Sequence, residues 1–211
     1  MAANICVRIP FGPAQLAIRC GRWHDSPMIK ALFLCSALLC LGAPAMSAQG
    51  KEGSTMPLEL TSSAFAAGEA IPSKYTCEGE DVSPPLAWSG VPANARSLVL
   101  IVDDPDAPDP AAPKMTWVHW VLYNLPTNVG ALAAATKQLP AGALSGLNDW
   151  KRSGYGGPCP PIGRHRYFHK LYALDTLLPD LGQPTKAVIE AQMKGHIVAH
   201  TELVGTYQKH R

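Results

Sequence analysis

Residues 97–126 read SLVLIVDDPDAPDPAAPKMTWVHWVLYNLP, two apolar runs separated by acids and prolines. The runs Ser97 to Asp103 and Thr116 to Leu125 are rich in Val, Leu, Ile and aromatic residues. That composition, interrupted by Pro, Asn and Asp, marks strands rather than helices. Leu58 to Ser62, Tyr167 to Leu174 and Glu202 to Tyr207 share it. Only Thr185 to Met193, TKAVIEAQM, reads as a helix. It follows a proline, offers a threonine cap, spaces its apolar residues helically and stops before Gly195. Runs of strands with one late helix predict a mainly β, largely antiparallel architecture with function carried on the loops at one end.

Period-two alternation then assigns faces. Leu98, Leu100, Val102 and Asp104 fall on one side of the first run, and Val99, Ile101 and Asp103 on the other. One of the two acids must therefore end its strand against the core. The DDPD string also reads as a solvated acidic turn, whereas a calcium loop needs more oxygen ligands at regular spacing. In the second run the alternation places Trp117, His119, Val121 and Tyr123 together, opposite Val118, Trp120, Leu122 and Asn124. A histidine in so apolar a strand must find a partner.

A third segment, GYGGPCPPIGRHRYFHK at 154–170, joins a glycine- and proline-rich loop to a strand. The glycines allow close backbone approach, and the prolines hold the loop in one shape. After the loop, His165, Tyr167 and His169 share one face, with Arg166, Phe168 and Lys170 on the other.

The chain has 211 residues, 47% hydrophobic and 16% charged, a composition of ordinary globular proteins. Of its 18 basic and 16 acidic residues, four and one fall within the first 48, leaving 14 and 15 for the body. So balanced a body, with no basic run, has no electrostatic footprint for nucleic acid, so phosphate recognition would have to be local. Residues 28–48, MIKALFLCSALLCLGAPAMSA, pair one lysine with a short apolar run and a small-residue segment, the pattern of a secretory signal peptide. The run is too short to span a bilayer, and no later segment comes closer. Translation starting at Met28 would make residues 1–27 an overcalled start, and an organelle presequence is the rival account of the leader. Residues 49–211 would then be one domain, exported to the periplasm or secreted. Export leaves Cys77 and Cys159 in an oxidising compartment, where they would form one disulfide. Two separate thiols are the alternative. No CxxC or CxH pair marks a metal site, and no cofactor is expected.

The ordered set YTCEGEDVSPPLAWSGVP (75–92), DDPDAP (103–108), WVHW (117–120), GYGGPCPP (154–161) and HRYFHKLYALD (165–175) resembles the phosphatidylethanolamine-binding protein family, in its bacterial, Raf-kinase-inhibitor-like branch. The resemblance runs from about Leu58 to Tyr207. It implies a large β-sheet packed with a smaller one, a few short helices, and a pocket at one end for phosphate-type anions or phosphorylated head groups. Carried over residue by residue, the pocket would comprise Asp104, Pro108, Trp117, His119, Gly157, Pro158, His165 and Tyr167. Imidazole, phenol and backbone N–H groups would donate to phosphate oxygens. Asp104 would fix a histidine tautomer, share a proton with the anion, or accept from a ligand amine. Animal members continue past the last strand into a helix bordering the pocket, whereas only Gln208 to Arg211 follow it here, so a more open mouth is expected.

The resulting expectation is a non-catalytic binding protein, acting on its own or through a protein partner. No GxSxG elbow or HExxH helix supports the alternative of a phosphoester hydrolase. Inhibition of a protease or kinase is the other alternative that the resemblance implies. Exposed sheet edges and proline-rich loops are contact surfaces on which a homodimer could form.

Overall fold

A computed structural model describes residues 56–210. The leader, with the signal peptide at 28–48 and the reading of 1–27, lies outside the described residues. The elements in chain order are β1 (Glu59–Thr61), β2 (Leu86–Ser89), β3 (Ser97–Ala107), β4 (Met115–Leu125), β5 (Ala131–Leu132), β6 (Leu144–Ser145), β7 (His165–Leu174), α1 (Lys186–Met193) and β8 (Ile197–Tyr207). They form a three-stranded sheet, β1-β2-β5, and a five-stranded sheet, β6-β4-β3-β7-β8. All named strand pairs are antiparallel. None of the described helices is long and apolar enough to cross a membrane.

The large sheet is covered on both faces, which is why SLVLIV is a continuous apolar run rather than an alternating one. Leu98, Leu100 and Val102 pack toward the small sheet, with Leu60, Leu86 and Trp88. Val99 and Ile101 pack on the opposite side, with Ile189 and Met193 of α1. The expected strands are all present, but β3 runs four residues beyond Asp103, through Pro105 to Ala107. Proline in a central strand is tolerated where the ladder breaks. Pairing with β7 ends at Asp103, and the register with β4 shifts between Asp104 and Ala107. Side chains then replace ladder bonds. Asp106 Oδ2 accepts the backbone N–H of Arg166 at 2.9 Å, and the carboxylate also takes the guanidinium, Nε at 2.9 Å and Nη2 at 2.7 Å. Those bonds to Arg166 hold the Asp106 carboxyl below its ordinary range, against the opposing effect of burial.

The alternation assigned to β4 requires correction. Val102 faces Trp120 while Asp103 faces Val118, so His119 is an extra residue opposite no partner. This is a β-bulge, which re-aims a side chain. Val121 and Tyr123 consequently join Val118 on the α1 side. His119 instead lies against Tyr167, which belongs to the core between the sheets.

Candidate functional site

A cavity of about 350 Å³ opens where β3, β4 and β7 meet the 154–164 loop. The strands bring Asp104, Pro108, Trp117, His119, His165 and Tyr167 to its wall. Gly157 and Pro158, expected beside them, are not among its lining residues; the loop contributes Cys159, Pro160 and Pro161 instead. The physical reason is that the loop's glycines serve the protein itself. The Gly157 N–H donates to Asp81 Oδ1 at 2.6 Å, and the Pro158 carbonyl accepts from the Cys77 N–H at 3.1 Å. A Cβ on Gly157 would sit 2.6 Å from the Tyr75 carbonyl oxygen, so this close approach demands glycine. Cys77 and Cys159 form a disulfide, with Cα atoms 5.4 Å apart.

His119 is held at two points by Gly156. Its carbonyl accepts from the Gly156 N–H at 3.0 Å, and its Nδ1 lies 2.6 Å from the Gly156 carbonyl oxygen. Since a carbonyl can only accept, Nδ1 carries the hydrogen. Burial holds this imidazole's pKa below its ordinary value, against the Gly156 bond and the Asp104, Asp103 and Asp149 charges that favour its cation. The ring is therefore neutral at neutral pH, and Nε2, given no partner by the protein, is a lone pair.

His165 differs. Nδ1 is 2.7 Å from Asp104 Oδ2, and Nε2 is 3.0 Å from the Ile162 carbonyl oxygen. Both neighbours are acceptors, so both ring nitrogens are turned to the protein, Nδ1 to the Asp104 carboxylate and Nε2 to the Ile162 carbonyl. Asp104 Oδ1 meanwhile accepts the Asp106 N–H at 2.8 Å. Of the three roles considered for Asp104, fixing a histidine is the one the geometry displays. It leaves His165 no free donor for a ligand.

Tyr167 lies between the two histidines, edge-on to His119 with ring centroids 5.2 Å apart and stacked on His165 at 6.4 Å. Its hydroxyl is buried without a partner. Burial, with the Asp104 charge behind it, raises its pKa, so it remains a neutral donor. A buried hydroxyl without a partner is costly unless something from outside completes it.

Trp150 is a wall residue that the sequence reading missed. Its indole lies edge-on to His119 at 5.2 Å and to Trp117 at 5.4 Å, with the Arg152 guanidinium 5.7 Å from its ring. A signal existed, because the GYGG run follows it closely. A Cβ on Gly156 would meet the Trp150 ring at 2.5 Å, so that glycine exists to let the indole close on the histidine.

His169, the second histidine of β7, lies outside the cavity lining. It is 1% exposed, packs against Phe65 at 5.5 Å, and neither ring nitrogen has a hydrogen-bond partner. The Tyr167 and Leu203 carbonyls lie near enough to favour the cation, but neither meets hydrogen-bond geometry. Burial dominates and pulls its pKa from 6.5 down to about 4. A group depressed on folding contributes stability that is fully present above the unfolded pKa and is lost as pH falls toward the folded one. Between pH 6.5 and about 4 the fold should thus lose about 3 kcal/mol through this residue. Urea unfolding at both ends of that window checks this. His169→Leu should flatten the slope, and an unchanged slope would assign the acid loss elsewhere.

The family model for "Phosphatidylethanolamine-binding protein" matches residues 61–208. A UPF0098 protein of Chlamydia trachomatis is 47% identical over 152 residues, covering 72% of this chain and 99% of that one. A UPF0098 protein of Methanothermobacter thermautotrophicus is 46% identical over 156 residues, with coverage of 72% and 99%. Among solved structures, a putative phosphatidylethanolamine-binding protein homolog from Chlamydia trachomatis superposes with a TM-score of 0.68 at 47% identity, covering 73% of this chain and 99% of that one. YbcL of E. coli gives a TM-score of 0.66 at 31% identity, with coverage of 74% and 100%.

Proposed function

Because the chain belongs to the phosphatidylethanolamine-binding protein family, we propose that it is an exported, non-catalytic binding protein whose cavity holds a phosphate-type anion or phosphorylated head group. The observation that carries this reading is the pairing of Tyr167 and His119. A buried hydroxyl without a partner and an imidazole nitrogen without one meet in a cavity whose remaining titratable side chains, Asp104 and His165, bond each other. An oxyanion would complete both. A binding role is further supported by the chemistry of the wall: the one cysteine lining it, Cys159, is held in a disulfide, so its sulfur is no nucleophile. The signal-peptide pattern at 28–48 and the Cys77–Cys159 disulfide support export.

Titration with inorganic phosphate and phosphoethanolamine tests the reading. Chemical-shift changes confined to the cavity, saturating at up to millimolar ligand, are expected, since a few hydrogen bonds must offset desolvation of the anion. No response to either compound would reject it.

A further inference from the structure

We propose that this cavity selects oxyanions that bring a proton with them, namely inorganic phosphate and phosphate monoesters, over phosphodiesters and sulfate. The inference rests on the binding role proposed above and narrows its ligand class.

Its basis is the inventory of what remains free. His165 turns both ring nitrogens to Asp104 and Ile162, and Gly156 and Gly157 spend their N–H groups on His119 and Asp81. Among the lining groups without a protein partner are a buried donor, the Tyr167 hydroxyl, and an acceptor, His119 Nε2, and neutral indole N–H groups of Trp117 and Trp150 could add only donors. A fully deprotonated oxyanion offers acceptors only, so it satisfies Tyr167 and confronts the His119 lone pair with another lone pair. A hydrogen phosphate offers both, with P–O⁻ accepting from Tyr167 and P–O–H donating to Nε2.

Charge argues the same way. Among the described residues no lysine or arginine lines the cavity, and the Asp104 carboxylate lies against His165. The walls are otherwise prolines and indoles, so a second negative charge would enter without compensation.

The proton could instead reside on His119, giving an imidazolium against a dianion. The charged and titratable groups about that ring are Asp103 and Asp104 on β3, His165, Tyr167 and His169 on β7, and Asp149 in the connection before the loop. The carboxylates favour the cation, but burial outweighs them. Wherever the proton sits, the complex carries one more than neutral protein plus fully deprotonated anion. A phosphate monoester supplies that proton itself near its second pKa of about 6, whereas sulfate and diesters have none to give at that pH.

The test is calorimetric titration of the protein with phosphate, phosphoethanolamine, dimethyl phosphate and sulfate. At about pH 6.5 the first two should bind at least about tenfold more tightly than the others, because a site built around a ligand hydroxyl rejects analogues lacking it. At about pH 8, where the phosphate group of phosphoethanolamine is a dianion without a P–O–H, heats in buffers of differing ionisation enthalpy should report uptake of about one proton per phosphoethanolamine bound, whereas inorganic phosphate still brings its own hydroxyl as HPO4²⁻. Sulfate or dimethyl phosphate binding within about threefold of phosphate, or no proton uptake with phosphoethanolamine at about pH 8, overturns the proposal while leaving an anion-binding role intact. Silence toward all four compounds overturns both.

Discussion

Asp103→Ala should lower the unfolding free energy by about 3–5 kcal/mol, the cost of removing one partner from a buried ion pair. Asp103 is fully buried on the α1 side of β3 and is shared by two lysines. Lys186 Nζ donates to Oδ2 at 2.5 Å; Lys170 Nζ donates to the same oxygen at 3.0 Å and lies 2.8 Å from Oδ1. Burial pulls the Lys186 pKa down, yet its bond to Asp103 together with the Asp103 and Glu190 charges more than reverses this, so the ammonium stays charged. Lys186 is also the first residue of α1, an end where the helix dipole disfavours a cation. Without the carboxylate, two ammonium groups with side chains 25% and 18% exposed face each other across a short gap. Denaturant unfolding of the alanine variant measures the loss. The double variant Asp103→Ala/Lys186→Met should recover part of it, because it removes one of the stranded charges. A single-variant loss below about 1 kcal/mol would mean that both lysines escape to solvent and that the carboxylate is not their anchor.

Reduction of the Cys77–Cys159 disulfide should cost up to about 4 kcal/mol, the chain-entropy value for a loop this long, the cysteines being 82 residues apart in sequence. The consequence reaches the cavity. Cys159 lies between Gly156, whose carbonyl fixes the His119 tautomer, and Ile162, whose carbonyl holds His165. Releasing the loop should weaken phosphate binding even where the protein stays folded. Paired Cys77→Ser and Cys159→Ser substitutions, compared with the parent by guanidinium unfolding and by phosphate titration, separate the two effects. Unchanged stability together with unchanged affinity would show that prolines and glycine contacts alone hold the loop.

Strands and helix were legible because SLVLIV, WVHWVLYNL and TKAVIEAQM carry their periods or apolar runs openly, whereas the second, smaller sheet was implied only by the family resemblance. What escaped was whatever depends on partners distant in the chain. No local pattern reveals that the β4 ladder shifts between Asp103 and Val102, and that shift decides where His119, Val121 and Tyr123 point. The short strands β2, β5 and β6 likewise have too few residues to show a period. The cavity residues Asp104, His119, His165 and Tyr167 were found through ordered motifs. Their division of labour was not, because whether an imidazole is free to donate depends on carbonyls that only the folded loop brings near. Gly157 shows the same limit. A glycine needed for close approach is visible in the sequence, but whether it approaches a ligand or Asp81 is not.

The bulge in β4 has an implication for how such a site can change over time. Residue 119 is surplus to the pairing between β3 and β4, so the sheet would close into regular register without it. Strand pairing thus imposes no demand on the side chain there, which answers instead to the Gly156 carbonyl and the Tyr167 and Trp150 rings. Variation at this one position can retune what the cavity accepts while the neighbouring hydrophobic layers remain under their own, separate constraint.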